Sequence, residues 1–553
     1  MKIFCWSPIK AVAVLGALFT LALGGCAGTR PRPDTLTVTI LHTNDIHAHW
    51  GGLTPDRRPC YAPLCEGGQG GTVRLAQAVA SFRHGGLAPL LLDAGDQFQG
   101  TLFFTLHQER MAAEALNRLA YDAFVPGNHE FDLGCGRFEA LAKALAVPVL
   151  GANLEFREDS GANPAPWRIV ERNGRQIGII GLVNPDTPTL SSPCPEAVFS
   201  TPDTALRKSA AALDAEGIDI IIAVTHLGID EDRRLARTVN GVDLFVGGHS
   251  HSLLSNTLPK AVGPYPLVER SPAGDPVLVV TAGYGGSLLG KIEVTFDQEG
   301  KALAWSGEPL LLDSHTLAEL DAGPADEALV KAWEAYAAPV QKLMRTPLGR
   351  IVSDIPDGHP LETPDVLCCR SGECRSGNLV ADAMLAQSGL GAQIALLNGG
   401  ALRNSFPAGT VTVGDVIGVF PFEDHLAVAE LPGAILLQAL EQGLSRHGQG
   451  GGGFLQVAGL RYAFDPFRKP GARLLSTSIQ GMDGRWRPLN PEATYRVATV
   501  SYLAEGGDGF SLFTKLDWRN TTLKVGDGVR NYLSARSSLT VRIEGRITKV
   551  AAP

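Results

Sequence analysis

Short apolar runs that end abruptly in polar side chains recur through the first half of the chain. Such runs predict buried strands, because a strand covered on both faces is apolar along its whole length. Between them, residues 71–83, 109–121 and 205–215 place apolar side chains at helical spacing, and this alternation predicts a layered α/β domain. The runs and the polar residues that follow them are 35–41 before Asp45 and His47, 90–92 before Asp96, 124–125 before Asn128, 220–224 before His226, and 244–246 before His249 and His251.

The polar residues at these strand ends have the chemistry of metal ligands. In an open α/β sheet, ligands bind outside the carboxyl ends of the strands. We expect the five strands to belong to one sheet, which places all these side chains in one crevice. Carboxylate, imidazole and amide oxygen together suit borderline divalent ions such as zinc, manganese or cobalt. Asp96 is the natural bridge between two ions about 3.5–4 Å apart, so the pattern predicts a two-metal hydrolytic centre.

His129 directly follows Asn128 and is not needed as a ligand. It can donate a hydrogen bond to a phosphoryl oxygen or to a leaving group, and Asp132, three residues on, can orient it. A single histidine among the thirteen of this chain is more often structural, and we assign that role to His42 and His107. The ordered combination of all these motifs, however, seldom arises by accident.

The length of 553 residues exceeds what one hydrophobic core covers, so we expect two domains. A segment rich in Ala, Glu and Lys lies at residues 326–336, between Pro324 and Pro339, and it predicts a helix that links the two domains. The expected divisions are a signal peptide 1–25, a tether 26–34, a first domain 35–325, a linking helix 326–346 and a second domain 347–553.

The N-terminus predicts export. Lys2 and Lys10 flank an apolar stretch, residues 11–23, that is too short to span a bilayer. The stretch ends in a sequence that resembles a bacterial lipobox, with Cys26 as the lipidated residue; ordinary secretory cleavage near Ala27 is the alternative. We therefore expect a lipoprotein of the outer or inner membrane that faces the periplasm or the cell surface.

Composition and charge exclude two classes of protein. The chain is 44% hydrophobic and 19% charged, as an ordinary globular protein is, so disorder is excluded. The formal charge is −9, and removal of residues 1–25 takes away two lysines and no acidic residue. An acidic protein of this kind is a poor binder of nucleic-acid polymers. A phosphate ligand must be held by local charges and metals.

Of the nine cysteines, seven remain after export and lipidation. An oxidising compartment favours disulfides, and a structural zinc cluster is the alternative. Cys60 with Cys65 is a candidate pair, and either Cys368 or Cys369 is a candidate partner of Cys374. Spacing does not support a pair between the remaining two, Cys135 and Cys194.

These motifs resemble the calcineurin-like metallophosphoesterase superfamily and, within it, the 5′-nucleotidase family. The likeness covers nearly the whole mature chain and is closest at residues 90–101 and 127–132. His251 stands where the family often has Gln or Asn, and an imidazole there should still bind metal. The resemblance implies a four-layer first domain with two metal sites and a catalytic pair: Asp45, His47 and Asp96 for one ion, Asp96, Asn128, His226 and His249 for the other, and His129 with Asp132.

The second domain resembles the family's nucleotide-binding domain, which rotates on the linking helix. Two aromatic residues would stack on the base, worth about 1–3 kcal/mol per base in other stacking sites. Arginines would hold phosphate oxygens through planar forks. The alternative role for each aromatic ring is core packing. The residues that match are Asn398, Gly400 and Arg403 in segment 398–403, Phe422, Tyr502 and Asp508, together with Arg370.

The resemblance implies a 5′-nucleotidase that releases phosphate from nucleoside 5′-monophosphates by attack of a metal-bound hydroxide. Relatives cleave the pyrophosphate of NAD or UDP-sugars, or a 2′,3′-cyclic phosphate, and these stay as alternatives. A thiosulfonate hydrolase is disfavoured by the base-stacking aromatics. A nucleotide-binding lipoprotein with an inert centre is the alternative outside enzymes, and the intact His129 and Asp132 pair argues against it.

Overall fold

The computed structural model describes residues 35–550, apart from 56, 85–87, 158–162, 363–365, 388, 390, 423, 450–451 and 482. The predicted signal peptide, the lipidated Cys26 and the tether lie outside the described residues. Within the described part, no helix has both the length and the apolar character that crossing a membrane requires.

The first half of the described chain alternates strands with helices, as the apolar pattern predicts. Its strands are β1 (Leu36–Thr43), β2 (Leu90–Asp93), β3 (Ala123–Phe124), β4 (Leu154–Phe156), β5 (Trp167–Arg172), β6 (Arg175–Leu182), β7 (Ala197–Phe199), β8 (Ile221–Thr225), β9 (Leu244–Gly247), β10 (Leu267–Arg270), β11 (Pro276–Val280), β12 (Leu288–Phe296) and β13 (Ala302–Leu311). Its helices are α1 (Thr72–His84), α2 (Leu102–His107), α3 (Glu109–Leu119), α4 (Cys135–Ala144), α5 (Thr187–Leu190), α6 (Pro202–Ala215), α7 (Ile229–Thr238), α8 (Ser314–Glu319) and α9 (Glu327–Met344).

The ligand-bearing strands belong to two sheets, so the expectation of a single sheet is wrong. One sheet has the order β13-β12-β1-β2-β3, and the other has the order β10-β11-β9-β8-β6-β5. Ile40 of the first sheet and Ile222 of the second lie in one buried cluster between the sheets. Their neighbours Leu41 and Ile221 point to the opposite faces, into two separate clusters that the flanking helices cover. The domain is therefore a four-layer α/β sandwich, as the resemblance implies.

Helix α9 is anchored on the first half of the chain. Trp333 is fully buried, and its Nε1 donates a hydrogen bond of 3.1 Å to the carbonyl oxygen of Trp50. The helix continues through Pro339 to Met344, although the composition of the segment places that proline at its flank.

The second half has its own hydrophobic core around a five-stranded sheet with the order β18-β15-β22-β17-β23. The strands are β14 (Pro347–Val352), β15 (Ile394–Asn398), β16 (Gly409–Thr412), β17 (His425–Pro432), β18 (Leu455–Ala458), β19 (Leu460–Phe464), β20 (Leu474–Gln480), β21 (Trp486–Pro488), β22 (Thr494–Val500), β23 (Arg519–Lys524), β24 (Leu539–Thr540) and β25 (Ile547–Lys549). The helices are α10 (Arg375–Leu385), α11 (Val413–Val419), α12 (Gly433–Leu444), α13 (Ser501–Ala504) and α14 (Val525–Ser534).

The topology of this sheet places the predicted nucleotide residues at one edge. Strands β15 and β22 are parallel. Strand β15 ends at Asn398, and β22 ends just before the segment that contains Tyr502. Strand β17 is antiparallel to β22, so its first residues, which follow Phe422, lie at the same edge.

Candidate metal centre and nucleotide pocket

The polar residues that follow β1, β2, β3, β8 and β9 lie together at one edge of the sandwich. Asp45, Asp96 and His226 are buried, with at most 1% of each residue exposed. His226 Nε2 lies 3.0 Å from Asp96 Oδ2, and His47 Nε2 lies 3.8 Å from the same oxygen. His251 Nε2 lies 3.5 Å from Asp45 Oδ1. Side chains from both sheets thus share one cluster.

All the metal ligands predicted from the sequence belong to this cluster. Asn128 joins it through its Oδ1, which lies 3.0 Å from His249 Nδ1. His129, which we did not predict as a ligand, also has a ring nitrogen close to ligand atoms of His47 and Asp96. Within each of three groups of residues, the ligand atoms lie within 4.8 Å of one another. The groups are Asp45, His47 and His251; His47, Asp96 and His129; and Asp96, His226 and His249.

The hydrogen bonds of two imidazoles fit them for metal binding. His226 Nδ1 is 2.6 Å from the carbonyl oxygen of Ala94, and His47 Nδ1 is 3.2 Å from that of Phe98. Because a carbonyl oxygen only accepts, each Nδ1 carries a proton, and in the neutral imidazole that binds metal each Nε2 carries the lone pair. His226 Nε2 lies near Asp96 without hydrogen-bond geometry, and this buried atom has no hydrogen-bond partner among the described residues. A cation would satisfy it.

Backbone strain is concentrated at the same residues. A positive φ is unfavourable for residues other than glycine and persists where the surrounding structure imposes it, often at functional sites. The residues of the cluster that adopt it are Asp45 (51°), His47 (48°), Asp96 (56°), His249 (75°) and His251 (53°).

The electrostatics of the cluster also favour a cation. Burial alone would raise the pKa of the Asp96 carboxyl, but the imidazoles of His226 and His47 outweigh it and hold that pKa below its usual range. Burial likewise lowers the pKa of His226, and the charges of Asp96 and Asp45 reverse the effect and raise it. The two buried carboxylates therefore create a negative field, and this field stabilises a positive charge in the cluster.

Glu130, to which the sequence reasoning gave no role, connects two of the ligand-bearing loops. Its carboxylate is fully buried and accepts backbone N–H groups from the loop after β2 and the loop after β3. The donors are Asp96 at 3.0 Å, Gln97 at 2.8 Å, Phe98 at 3.1 Å and Gly127 at 2.6 Å. In the sequence, Glu130 directly follows Asn128 and His129, and this position marks it as part of the site. The groups that it contacts, however, depend on tertiary structure.

The predicted catalytic pair is in hydrogen-bond contact. His129 Nδ1 lies 2.7 Å from Asp132 Oδ2. Burial lowers the pKa of His129, but the hydrogen bond to Asp132 and the charge of Asp96 outweigh it and raise the pKa to about 9. The other oxygen, Asp132 Oδ1, accepts a hydrogen bond of 2.7 Å from Ser191 Oγ. Ser191 was not predicted from the sequence.

A separate cavity of about 550 Å³ lies at the sheet edge of the second domain. Every described residue that lines it belongs to the second half of the chain. All the substrate-binding residues predicted from the sequence line it: Arg370, Asn398, Gly400, Arg403, Phe422, Tyr502 and Asp508.

The two aromatic rings of this cavity are not core residues. Phe422 is 36% exposed and Tyr502 is 45% exposed, so neither packs as a buried ring. The Arg403 guanidinium lies 5.0 Å from the centroid of the Phe422 ring. Asp508 has a positive φ of 52°, and it accepts a hydrogen bond of 2.8 Å from Asn398 Nδ2. The cavity thus has polar groups held in place beside exposed aromatic surface, as ligand sites do.

Asp424 also lines the cavity and was missed by the sequence reasoning. Its Oδ1 accepts hydrogen bonds from Ser501 Oγ at 2.9 Å and from the backbone N–H of Tyr502 at 3.1 Å. These contacts hold an acidic side chain beside one of the two aromatic rings.

The described part of the chain contains three disulfides: Cys60–Cys65, Cys135–Cys194 and Cys369–Cys374. Cys374 is thus paired with Cys369 and not with Cys368. The second pair is the one that spacing did not support, and its partners are 59 residues apart. These six cysteines cannot form the alternative zinc cluster. His42 and His107 have the structural roles expected of them, in hydrogen bonds with Tyr265 and with the Tyr336 carbonyl.

Comparisons with known proteins agree with this architecture. Residues 38–253 match the calcineurin-like phosphoesterase family, and residues 352–515 match the 5′-nucleotidase C-terminal domain. A 5′-nucleotidase of Diplobatis ommata is 34% identical over 94% of this chain and 91% of its own length. The 5′-nucleotidase of Bos taurus is 34% identical over 96% of this chain and 94% of its own length. The crystal structure of a 5′-nucleotidase precursor from Thermus thermophilus is 38% identical, with a TM-score of 0.64 over 94% of this chain and all of that chain.

The four-layer sandwich with its edge cluster of carboxylates and imidazoles defines a calcineurin-like metallophosphoesterase. Such enzymes use divalent metal ions. With its matching second domain, the chain belongs to the 5′-nucleotidase family. It is a hydrolase, and metal-dependent hydrolysis of nucleoside monophosphates is the activity that family and fold support.

Proposed function

We propose that the protein releases phosphate from nucleoside 5′-monophosphates with two divalent ions, chosen among zinc, manganese and cobalt. The observation that carries this proposal is the pairing of two built sites in one chain. A buried cluster of carboxylates and imidazoles suits these ions, and a cavity with exposed aromatic rings suits a nucleotide.

The residues of the cluster would divide between the two ions. Asp96 faces both the His47 and the His226 imidazoles, which supports its role as the bridge. His251 lies beside Asp45, which supports a place for it at the first ion. Divalent ions held there supply Lewis acidity toward the phosphate and lower the pKa of water. Asn128 and His249 would complete the second ion's ligands.

His129 and Asp132 would act on the reacting phosphate. Because His129 Nδ1 is bonded to Asp132, Nε2 is the nitrogen that can give a hydrogen bond or a proton to the substrate. In the cavity, Phe422 and Tyr502 would stack on the base, and Asp508 would accept the ribose hydroxyls.

The remaining polar residues of the cavity would hold the ends of the nucleotide. Arg370 and Arg403 would hold the phosphate through planar forks, and Asn398, which lines the cavity together with Gly400, would bind the base edge.

The nucleotide must also reach the metal cluster. The described lining of the cavity contains no residue of the cluster, which supports a rotation of the second domain, 347–553, against the first, 35–325. Helix α9, within the proposed linker 326–346, would be the hinge segment. Lipidation at Cys26 after removal of residues 1–25 would place the enzyme on a membrane surface that faces the periplasm or the exterior.

Phosphate release from AMP, UMP, ATP, NAD and UDP-glucose, measured after chelation and metal addition, tests the proposal. We expect chelation to abolish activity, and manganese, cobalt or zinc to restore it with AMP or UMP as a good substrate. Asp96→Asn should cost more activity than His249→Ala, because it removes a ligand shared by both ions. Full activity in strong chelator would contradict the metal centre, and exclusive cleavage of NAD or UDP-glucose would contradict the monophosphate assignment.

A further inference from the structure

The segment that carries the catalytic pair is tied twice to a loop that lies about sixty residues further along the chain. Asp132 accepts a hydrogen bond of 2.7 Å from Ser191 Oγ. Cys135 forms a disulfide with Cys194. In both segments the two tied residues are three positions apart, so the ties are adjacent in space. The loop after α5 therefore lies against the pair in a defined register.

The tie at Ser191 acts on the carboxylate that orients the histidine. Asp132 uses Oδ2 for His129 Nδ1 and Oδ1 for Ser191, so both its oxygens are engaged. A carboxylate bonded at one oxygen only can rotate about its Cβ–Cγ bond and can sample other side-chain rotamers. With the second bond in place, the direction of Oδ2, and with it the plane of the imidazole, is fixed.

The covalent tie explains why a loop serine can do this. Cys135 is the first residue of α4 and is 6% exposed, so the disulfide is anchored in the core between the sheets. Phe131 and Phe199 add an edge-to-face contact, with ring centroids 5.6 Å apart. Phe131 and Cys135 flank Asp132, and their partners Phe199 and Cys194 hold the segment that follows Ser191, which reduces the entropy lost when the hydrogen bond forms.

We propose that Ser191 is a positioning residue of the proposed phosphohydrolase, which holds Asp132 so that His129 is aimed at the leaving oxygen of the substrate. In the reaction a water oxygen bonds to phosphorus as the bond to the leaving oxygen breaks. His129 Nε2 gives its proton to that oxygen, which leaves as a hydroxyl. Water contributes one O–H to the phosphate product, and its second proton restores His129.

The test compares Ser191→Ala, the hydroxyl-retaining Ser191→Thr and the exposed neighbour Ser192→Ala as a matched control. Initial rates are measured on ribose 5-phosphate and on p-nitrophenyl phosphate, neither of which carries a base. An alkoxide leaving group needs the proton of His129, whereas p-nitrophenolate departs without one.

We expect Ser191→Ala to lower kcat on ribose 5-phosphate and AMP by roughly fivefold to tenfold, the scale of one hydrogen bond to a partly exposed carboxylate, with KM unchanged. p-Nitrophenyl phosphate should be hydrolysed at nearly the parental kcat. Ser191→Thr should recover most of the loss, and Ser192→Ala should match the parent on every substrate.

Three results would overturn the inference. One is an equal loss on both leaving groups, another is a raised KM at constant kcat, and the third is a Ser191→Ala enzyme that equals its parent. Each leaves the proposed function standing as long as the parent enzyme hydrolyses AMP. A parent enzyme that is inactive on AMP with every added metal would overturn both.

Discussion

The backbone N–H of Gln97 donates a hydrogen bond of 2.8 Å to the carboxylate of Glu130, which lies on a different loop. Glu130 accepts three further backbone N–H groups, and together they hold the loops of Asp96 and Asn128 in fixed relation. This carboxylate therefore positions the proposed metal ligands Asp96 and Asn128 without itself belonging to the groups that could hold a metal ion.

Glu130→Gln should weaken metal binding more than it weakens catalysis at saturating metal. A glutamine offers one acceptor oxygen, and its amide group would face N–H donors. Loss of such supporting contacts typically costs about 10–100-fold in metal affinity. Activity after chelation is titrated with manganese, and Glu139→Gln, on α4 and paired with Lys143, is the control. An unchanged titration midpoint would show that the two loops keep their positions without the Glu130 carboxylate.

Tyr502→Ala should raise KM for AMP and leave p-nitrophenyl phosphate nearly unaffected. Removal of one stacking ring lowers the affinity for a substrate that carries a base by roughly 5- to 150-fold. Tyr502→Phe keeps the ring but loses the hydroxyl that lies 3.2 Å from the backbone N of Asp508, and it should retain most of the affinity. Similar losses on both substrates would instead assign Tyr502 to packing.

Asp424→Asn should change the preference between bases. An ionised carboxylate only accepts hydrogen bonds, so it favours a base with an amino group, such as adenine, over hypoxanthine. Asparagine can keep the contacts with Ser501 and Tyr502 N–H while it adds a donor. We expect the ratio of kcat/KM for AMP over IMP to fall about tenfold, with ribose 5-phosphate unchanged. A constant ratio would limit Asp424 to anchoring Tyr502.

The loop from Cys369 to Cys374 should lose nucleotide affinity when its ties are removed, because Arg370 lies inside it. The disulfide is one tie, and Gln456 is another, with Nε2 2.9 Å from the Cys369 carbonyl oxygen and 2.7 Å from that of Gly372. Joint replacement of both cysteines by serine should raise KM for AMP with kcat unchanged, and Gln456→Ala should raise it further.

A matched control exists for this prediction. The Cys60–Cys65 disulfide, in the first domain, has the same sequence separation of five residues. Its removal should leave KM for AMP unchanged. Arg370→Lys should reproduce much of the loss, because a point charge does not replace the planar fork. If the serine variants keep the parental KM, packing alone positions Arg370.

The sequence predicted the components of the site better than their surroundings. Asp45 and Asp96 were identifiable because acidic residues and histidines recur in an ordered combination after several apolar strands. The assignment to one sheet failed because a strand covered by a second sheet on one face and by helices on the other is as apolar as a strand between two helix layers. Ser191 and Asp424 were missed because loop residues have no periodicity. Their partners, like that of Cys135, are set by tertiary contacts between distant segments.

The division of the ligands between two sheets has a consequence for assembly of the enzyme. Asp45 and Asp96 follow strands of one sheet, whereas His226 and His249 follow strands of the other. An ion held by Asp96 from one sheet and by His226 and His249 from the other would join the two sheets, so its binding energy would add to the free energy of unfolding, by about 2.7 kcal/mol at a hundredfold excess over Kd. The stability of the fold would then depend on the metal supply where the chain folds.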